Sequence, residues 1–200
     1  MGKRDDLMNT ALILFYTRGF HATGIDDILA RSGTAKATLY HHFRSKDELV
    51  DAVLARQDEW FCRWIESRTA DVADPADRVL ALFDVMHRWF GKTGFRGCLF
   101  INAASEFDDP AAPVRRTVAA HKARVREFIH AQLRAAHCRD AEALAAQIAI
   151  LLEGAIVSAN IHGSPEAATH ARAAAKTLLA AALPAKRSKR RSTSLQRTMS

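Results

Sequence analysis

The segment from residue 23 to residue 49 constrains the fold more than any other part of the chain. It reads TGIDDILARSGTAKATLYHHFRSKDEL, and Gly33 can adopt the left-handed conformation that ends many helices. Apolar side chains on either side of this glycine recur at the i, i+3, i+4 spacing of a helix face: Ile25, Ile28 and Leu29, then Leu39 and Phe43. The segment therefore predicts two short helices joined by a tight glycine turn.

The second of these helices, predicted over about residues 35–43, has a polar face opposite its apolar residues. That face carries hydrogen-bond donors: Lys36, Thr38, Tyr40 and His41. A helix-turn-helix places such a second helix in the major groove of DNA. The pattern therefore indicates a DNA-binding head.

The same run, with Arg18-Gly19-Phe20 before it, resembles the DNA-binding signature of the TetR family of bacterial transcriptional repressors. The resemblance implies a regulator whose fourth helix links the head to a regulatory domain. Two residues depart from the family pattern, because Ala35 stands where serine is common and Ala37 where glycine is common. Since Ala35 has no side-chain oxygen, we expect Thr34 to cap the recognition helix, as Thr23 is expected to cap the helix before it.

Tyr40 and Lys46 match the family positions that bind backbone phosphate, and a phenol and an ammonium are suitable donors. Lys36 and Thr38 lie early on the recognition helix, where lysine can donate to guanine and a threonine methyl can meet thymine. Any of these side chains could instead be ordinary exposed surface. The predicted DNA contacts are Thr23, Thr34, Lys36, Thr38, Tyr40, His41 and Lys46.

Helical spacing continues through the rest of the chain, and no segment shows sustained strand alternation. Ser45 and Glu48 form a capping-box pattern for a long fourth helix, and Asp74-Pro75 is a typical start for the fifth. We predict an all-α fold with an N-terminal three-helix helix-turn-helix DNA-binding head and a larger helical-bundle regulatory domain. The predicted boundaries are residues 1–50 for the head, 51–183 for ligand binding and dimerisation, and 184–200 for a basic disordered tail.

Much of the net charge of +7 comes from the end of the chain. Residues 184–200 contain six basic residues and no acidic ones, whereas residues 1–50 contain seven basic and six acidic residues. The case for DNA binding therefore depends on where the donors of the head lie and not on bulk charge. The tail is either a solubilising end or a segment that attracts DNA without sequence preference.

Three widely spaced cysteines, Cys62, Cys98 and Cys138, suit a reducing cytoplasm. The N-terminus lacks the apolar stretch of a signal peptide, and no uninterrupted apolar run reaches the roughly 18 residues of a membrane span. No tight His and Cys spacing indicates a metal site, and the G-x-S-x-G and H-E-x-x-H motifs are absent. We expect a cytoplasmic protein that is not an enzyme and has no cofactor, metal or membrane partner.

Aromatic side chains of the regulatory half could line a small-molecule cavity, although at helical spacing they are more often core. Asn102 and Glu106 are candidate polar anchors, and a buried Glu106 would need a partner such as Arg126 or His121. A structural pair between helices is the alternative. The predicted ligand-binding residues are Trp60, Trp64, Phe83, Met86, Trp89, Phe90, Asn102, Glu106 and Arg126, with Phe61, Phe95, Phe100 and Phe107 as further candidates.

The last two helices carry apolar stripes with many small residues, which suit a four-helix dimer interface. The alternative is that both stripes pack inside the monomer. The predicted dimer residues are Ile148, Leu151, Leu152, Ala155, Ile156, Ala171, Ala175, Leu178 and Leu179. A dimer would hold two recognition helices about 34–36 Å apart, so that they could read successive major grooves.

The sequence therefore predicts a homodimeric repressor that binds double-stranded operator DNA and is released by a small apolar or amphipathic effector. One alternative is a thiol-based sensor of electrophiles or oxidants, since Cys98 lies beside Arg96 near a helix start, where the pKa of a thiol is lowered. A free cysteine is more often a small buried hydrophobe. The other alternative is a nonspecific DNA-binding protein that uses the basic tail.

Overall fold

The computed structural model describes residues 2–184, and this range contains nine α-helices and no strand. The predicted all-α class is confirmed. The helices are α1 (Lys3–Arg18), α2 (Ile25–Ser32), α3 (Lys36–His42), α4 (Lys46–Thr69), α5 (Pro75–Phe90), α6 (Leu99–Glu106), α7 (Pro113–Ala135), α8 (Ala141–His162) and α9 (Glu166–Ala182). Nearly all of the predicted basic tail lies outside the described residues.

The head consists of α1, α2 and α3 packed around a largely apolar centre. Gly19 ends α1 with a φ of 95°, and Gly33 ends α2 with a φ of 60°, both in the left-handed region that favours glycine. The predicted core residues of the recognition helix are buried, with Leu39 0% and Phe43 2% exposed. These turns fold α3 back onto α1 and leave the opposite face of α3 at the surface.

The fourth helix begins with the predicted capping box. The Ser45 hydroxyl accepts a hydrogen bond from the Glu48 backbone N–H at 3.1 Å, and the Glu48 carboxylate accepts from the Arg44 N–H at 2.7 Å. From this cap α4 runs for 24 residues, packing on α1 at one end and on α5 and α7 further along. Because one helix packs against both parts, the head and the regulatory half share a rigid connection.

The regulatory half is a bundle in which α8 packs against α5, α7 and α9. By length and composition α8 is apolar enough to cross a membrane, with a mean hydropathy of 1.7, although polar residues interrupt its apolar sequence. Its buried face, however, belongs to the core of the bundle. A core helix of a soluble protein meets the same length and composition criteria, so this finding is weak evidence for a membrane span.

Candidate DNA-binding face and aromatic cavity

The outer face of α3 presents the predicted donors to solvent. Lys36 and His41 are exposed and Tyr40 is 47% exposed, whereas Thr38 is half-buried. Lys46, at the start of α4, is half-buried with its Nζ 3.5 Å from the His21 carbonyl oxygen. An ammonium, a phenol and an imidazole on one short helix can donate to phosphates and base edges at the same time.

Neither threonine expected to cap a helix does so. Thr23 is fully buried, and its hydroxyl donates to the Gly19 carbonyl at 2.7 Å, while Gly24 is the N-cap of α2. Thr34 is 7% exposed and donates to the Ser32 carbonyl at 3.4 Å, while Ala35 is the N-cap of α3. Both hydroxyls are used inside the protein, and the contacts of Thr23 and Thr34 with DNA stay predictions.

An aromatic cavity of about 300 Å³ lies between the head and the regulatory half. Its walls come from α1, α4 and α5 and from the start of α6. Trp60 and Trp64 stack with ring centres 5.6 Å apart, and Trp89 meets Trp64 edge-on at 6.2 Å. The lining residues are Leu12, Ile13, Tyr16, Gln57, Trp60, Phe61, Trp64, Trp89, Cys98, Leu99 and Phe100.

Only three of the nine predicted ligand-binding residues, Trp60, Trp64 and Trp89, line this cavity. Phe83 and Met86 are fully buried in the bundle core, and Phe90 is 6% exposed and faces the same core, because these positions lie on the inner face of α5. The remaining three lie elsewhere. Asn102 donates its side-chain N–H to the Arg96 carbonyl, Glu106 contacts the head, and Arg126 is exposed on α7. These six residues do not line this cavity, and their part in ligand binding stays a prediction.

Glu106 joins the end of α6 to the turn after α1 instead of pairing with Arg126 or His121. Its carboxylate accepts hydrogen bonds from the backbone N–H of Phe20 at 2.9 Å and of His21 at 2.7 Å. The ring of Phe107 packs against both residues, at 5.9 Å from Phe20 and 5.1 Å from His21. We call this contact the Glu106 clasp.

A second clasp joins the other end of α6 to the head. The Tyr16 hydroxyl donates to the Gly97 carbonyl at 3.1 Å and accepts from the Arg96 N–H at 2.9 Å. Burial raises the pKa of the Tyr16 phenol, although the hydrogen bond from Arg96 acts in the opposite direction. This Tyr16 clasp therefore holds a neutral hydroxyl. Sequence reasoning missed both clasps, because their partners lie 80 or more residues apart.

A buried charged cluster joins α4 to α7. Asp58 is 7% exposed, and its carboxylate lies 2.7 Å from Nδ1 of His121 and 2.5 Å from the Arg124 guanidinium. The Cys62 thiol also donates to it at 3.5 Å, and burial, followed by the charge of Asp58, raises the pKa of that thiol to about 11. Burial lowers the pKa of His121, which Asp58 partly opposes. Asp58 escaped prediction because it is one of several acidic residues on α4, and nothing near it in the sequence indicates that its partners lie on α7.

His121 also connects this cluster to the cavity wall. Its ring stacks on Phe100 with centres 3.6 Å apart and meets Phe61 edge-on at 5.3 Å. Cys98 is the N-cap of α6 and lines the cavity at 7% exposure, so its role as a thiol sensor stays a prediction. Within residues 2–184 no group of three or more His, Cys, Asp or Glu side chains is placed to hold a metal.

Most of the predicted dimer residues pack inside the single chain. The residues at 5% exposure or less are Ile148, Leu152, Ala155, Ile156, Ala175 and Leu179, and their place in a dimer interface stays a prediction. They belong to the apolar core of the chain. Leu151, Ala171 and Leu178 are half-buried. The opposite face of α8 instead exposes Ile150 at 69%, Val157 at 40% and Ile161 at 69%.

Comparison with protein families matches both halves of the chain. The model for "Bacterial regulatory proteins, tetR family" matches residues 7–53, and the model for "Tetracyclin repressor-like, C-terminal domain" matches residues 75–175. A TetR-family transcriptional regulator from Streptomyces coelicolor has a similar structure, with a TM-score of 0.84 and 30% identity. That match covers 90% of this chain and 95% of the other.

Two curated relatives are similar to parts of the chain. The transcriptional repressor KstR2 of Mycobacterium tuberculosis is 36% identical over 85 residues, which are 40% of each chain. The transcriptional regulator AcuR of Cereibacter sphaeroides is 28% identical over 160 residues, or 74% of this chain and 72% of the relative. Since the match to KstR2 spans only about 40% of its length, the likeness to that repressor covers less than half of either protein.

Proposed function

Because this chain belongs to the TetR family of bacterial transcriptional regulators, we propose that it represses transcription as a homodimer on operator DNA and is released by a small effector. The observation that carries the proposal is the outer face of α3. Lys36, Tyr40 and His41 stand exposed there on a helix whose other face is held by Leu39 and Phe43. A short rigid helix with exposed donors fits a major groove.

The exposed apolar face of α8 supports the dimer. Ile150, Val157 and Ile161 lie at i, i+7 and i+11, which places them on one stripe, with Gly154 exposed between them. The neighbouring surface of α9 carries the small exposed residues Ala174 and Thr177. Small residues allow close helix approach, and a twofold axis through this surface buries both stripes. This surface replaces the buried stripe as the proposed interface.

Selection of bound duplexes from a random pool, followed by fluorescence anisotropy, tests operator binding. A dimeric helix-turn-helix protein enriches a palindrome whose half-sites lie one helical turn apart. A chain shortened to residues 1–184 keeps that preference if the head is responsible. Equal binding to all duplexes, lost with the tail, would support the nonspecific alternative and overturn the proposal.

Sedimentation of Ile150→Asp tests the dimer independently. The introduced carboxylate would be buried without a partner in the proposed interface, so the variant is expected to sediment as a monomer and to lose operator binding. Ile150 is exposed in the single chain, so the fold is retained, which circular dichroism checks. Glu142→Ala, also exposed on α8, is the control and stays dimeric.

We place such a regulator in the cytoplasm, where its DNA is.

A further inference from the structure

The aromatic cavity lies where an occupant would touch the DNA-binding head itself. Leu12, Ile13 and Tyr16 on α1 form one wall, and the remaining walls come from α4, α5 and α6. The regulatory half alone therefore does not enclose the cavity. Tyr16 is both part of the wall and the side chain of one clasp, so an occupant lies directly against a contact that holds the head.

The lining defines the chemistry of an occupant. None of its eleven residues carries a formal charge, and six are aromatic. An ion placed there would lose its hydration without gaining a partner, which is costly. The buried carboxylate of Asp58 on α4 is already paired with His121 and Arg124. The cavity therefore favours a neutral molecule over an anion or a cation.

The size and shape of the cavity further restrict the chemical class of the ligand. A volume of about 300 Å³ lies at the lower end of small-molecule sites, which range over roughly 300–1,000 Å³. Trp60 and Trp64 lie nearly parallel, with 10° between their planes, and Trp89 stands at 72° to Trp64. Flat rings pack well against such faces and edges. Since the Tyr16 hydroxyl is engaged, the Gln57 amide, the Cys98 thiol and the indole N–H groups of the three tryptophans are the polar groups that the lining offers a ligand.

We propose that this cavity is the effector site, and that its ligand is a neutral, flat, largely apolar molecule of two or three rings that binds between α1 and the regulatory half. The role of the cavity as an effector site rests on the proposed function. The binding itself can be measured without DNA.

All three tryptophans of the chain line the cavity, so intrinsic fluorescence reports occupancy directly. The probe is N-phenyl-naphthylamine, a neutral aromatic dye that accepts energy from tryptophan. Its sulfonated analogue, anilinonaphthalene sulfonate, differs by one negative charge. The neutral dye is expected to quench tryptophan emission saturably, and the sulfonated dye to bind about tenfold more weakly or worse.

Two exposed wall residues provide variants that leave the core intact. Trp60 is 49% and Ile13 is 59% exposed. Trp60→Ala removes one of the stacked faces, and Ile13→Glu places a charge on the wall formed by the head. Each is expected to weaken binding of the neutral dye about tenfold. Arg63→Ala, exposed on α4 outside the lining, is the control and leaves binding unchanged.

Dye binding that neither variant weakens would place the dye elsewhere and overturn the cavity assignment. Equal binding of the two dyes would overturn the ligand class. An effect of Trp60→Ala without one of Ile13→Glu would refute the contact with the head. Operator binding without dye is measured on the same wild-type protein. If that binding is absent while the dye results hold, the proposed function fails and the cavity assignment stands.

Discussion

The two halves of the molecule differ in where their functional polar side chains lie. The head buries apolar residues and leaves Lys36, Tyr40 and His41 at its surface. The regulatory half instead buries a carboxylate, Asp58, and satisfies it with His121 and Arg124 from another helix. Donors that act on an external polyanion must remain in water, whereas a buried charge is tolerated only with a partner. DNA binding by the head therefore depends on exposed donors, whereas the stability of the regulatory half depends on partners for its buried charge.

The largest expected effect is the loss of stability when the buried carboxylate of Asp58 is removed. Asp58→Ala removes the carboxylate that His121 and Arg124 share. The exposed Arg124 can return to water, but the buried His121 nitrogen loses its partner, which destabilises by about 1–3 kcal/mol. Urea unfolding measures the change in unfolding free energy. Glu59→Ala, whose exposed carboxylate pairs with Arg63 at 3.8 Å, is the matched control and costs less than about 1 kcal/mol. Similar losses for the two variants would contradict the contrast between the halves.

Substitutions on the head are expected to change DNA binding and leave stability unaltered. Lys36→Ala should relax sequence preference at one or two operator positions by about 1–3 kcal/mol. Lys46→Ala should weaken binding to all duplexes alike and lower the salt slope by about one. Anisotropy titrations with operator and random duplexes at several salt concentrations separate these effects. Identical profiles for the two variants would refute the division between base and phosphate contacts.

The Glu106 clasp lies where the two halves meet. Glu106→Ala removes the acceptor for the Phe20 and His21 amides, which should lower their local protection by about 1–2 kcal/mol. Hydrogen exchange at these two amides is expected to accelerate about tenfold. Ser105→Ala, whose hydroxyl bonds only to the Asn102 carbonyl of its own helix, serves as the control. Unchanged exchange in Glu106→Ala would show that the clasp does not hold the turn.

The smallest expected effect is the pH dependence of the buried cluster. Burial lowers the pKa of His121 below its ordinary 6.5, so below pH 6.5 the unfolded chain binds more protons at this residue than the folded chain. Its contribution to stability is complete above pH 6.5 and falls with acidification, by at most about 1.4 kcal/mol per pH unit. His121→Gln should flatten unfolding curves between pH 7 and pH 5, relative to wild type and to exposed His162→Gln. Parallel curves for all three would exclude this titration.

The head is the part that local sequence patterns predict well. Apolar spacing, Gly19 and Gly33, and the capping box at Ser45 act within a few residues, so the helices and their buried faces follow from the sequence. The caps at Thr23 and Thr34 failed because a hydroxyl can also donate to a carbonyl behind it. Which of two nearby partners a threonine selects depends on the packing around it.

The sequence by itself determined the all-α class, the helix-turn-helix and the apolar character of α8, since these follow from periodicity and turn chemistry. Only the tertiary structure decided which face of α8 is buried, because α7 and α9 each cover part of it and leave Ile150, Val157 and Ile161 outside. It also decided that Glu106 reaches the head and that Asp58 meets His121. Such pairs join residues 63 to 86 positions apart, and helical spacing carries no information about which distant helix lies opposite.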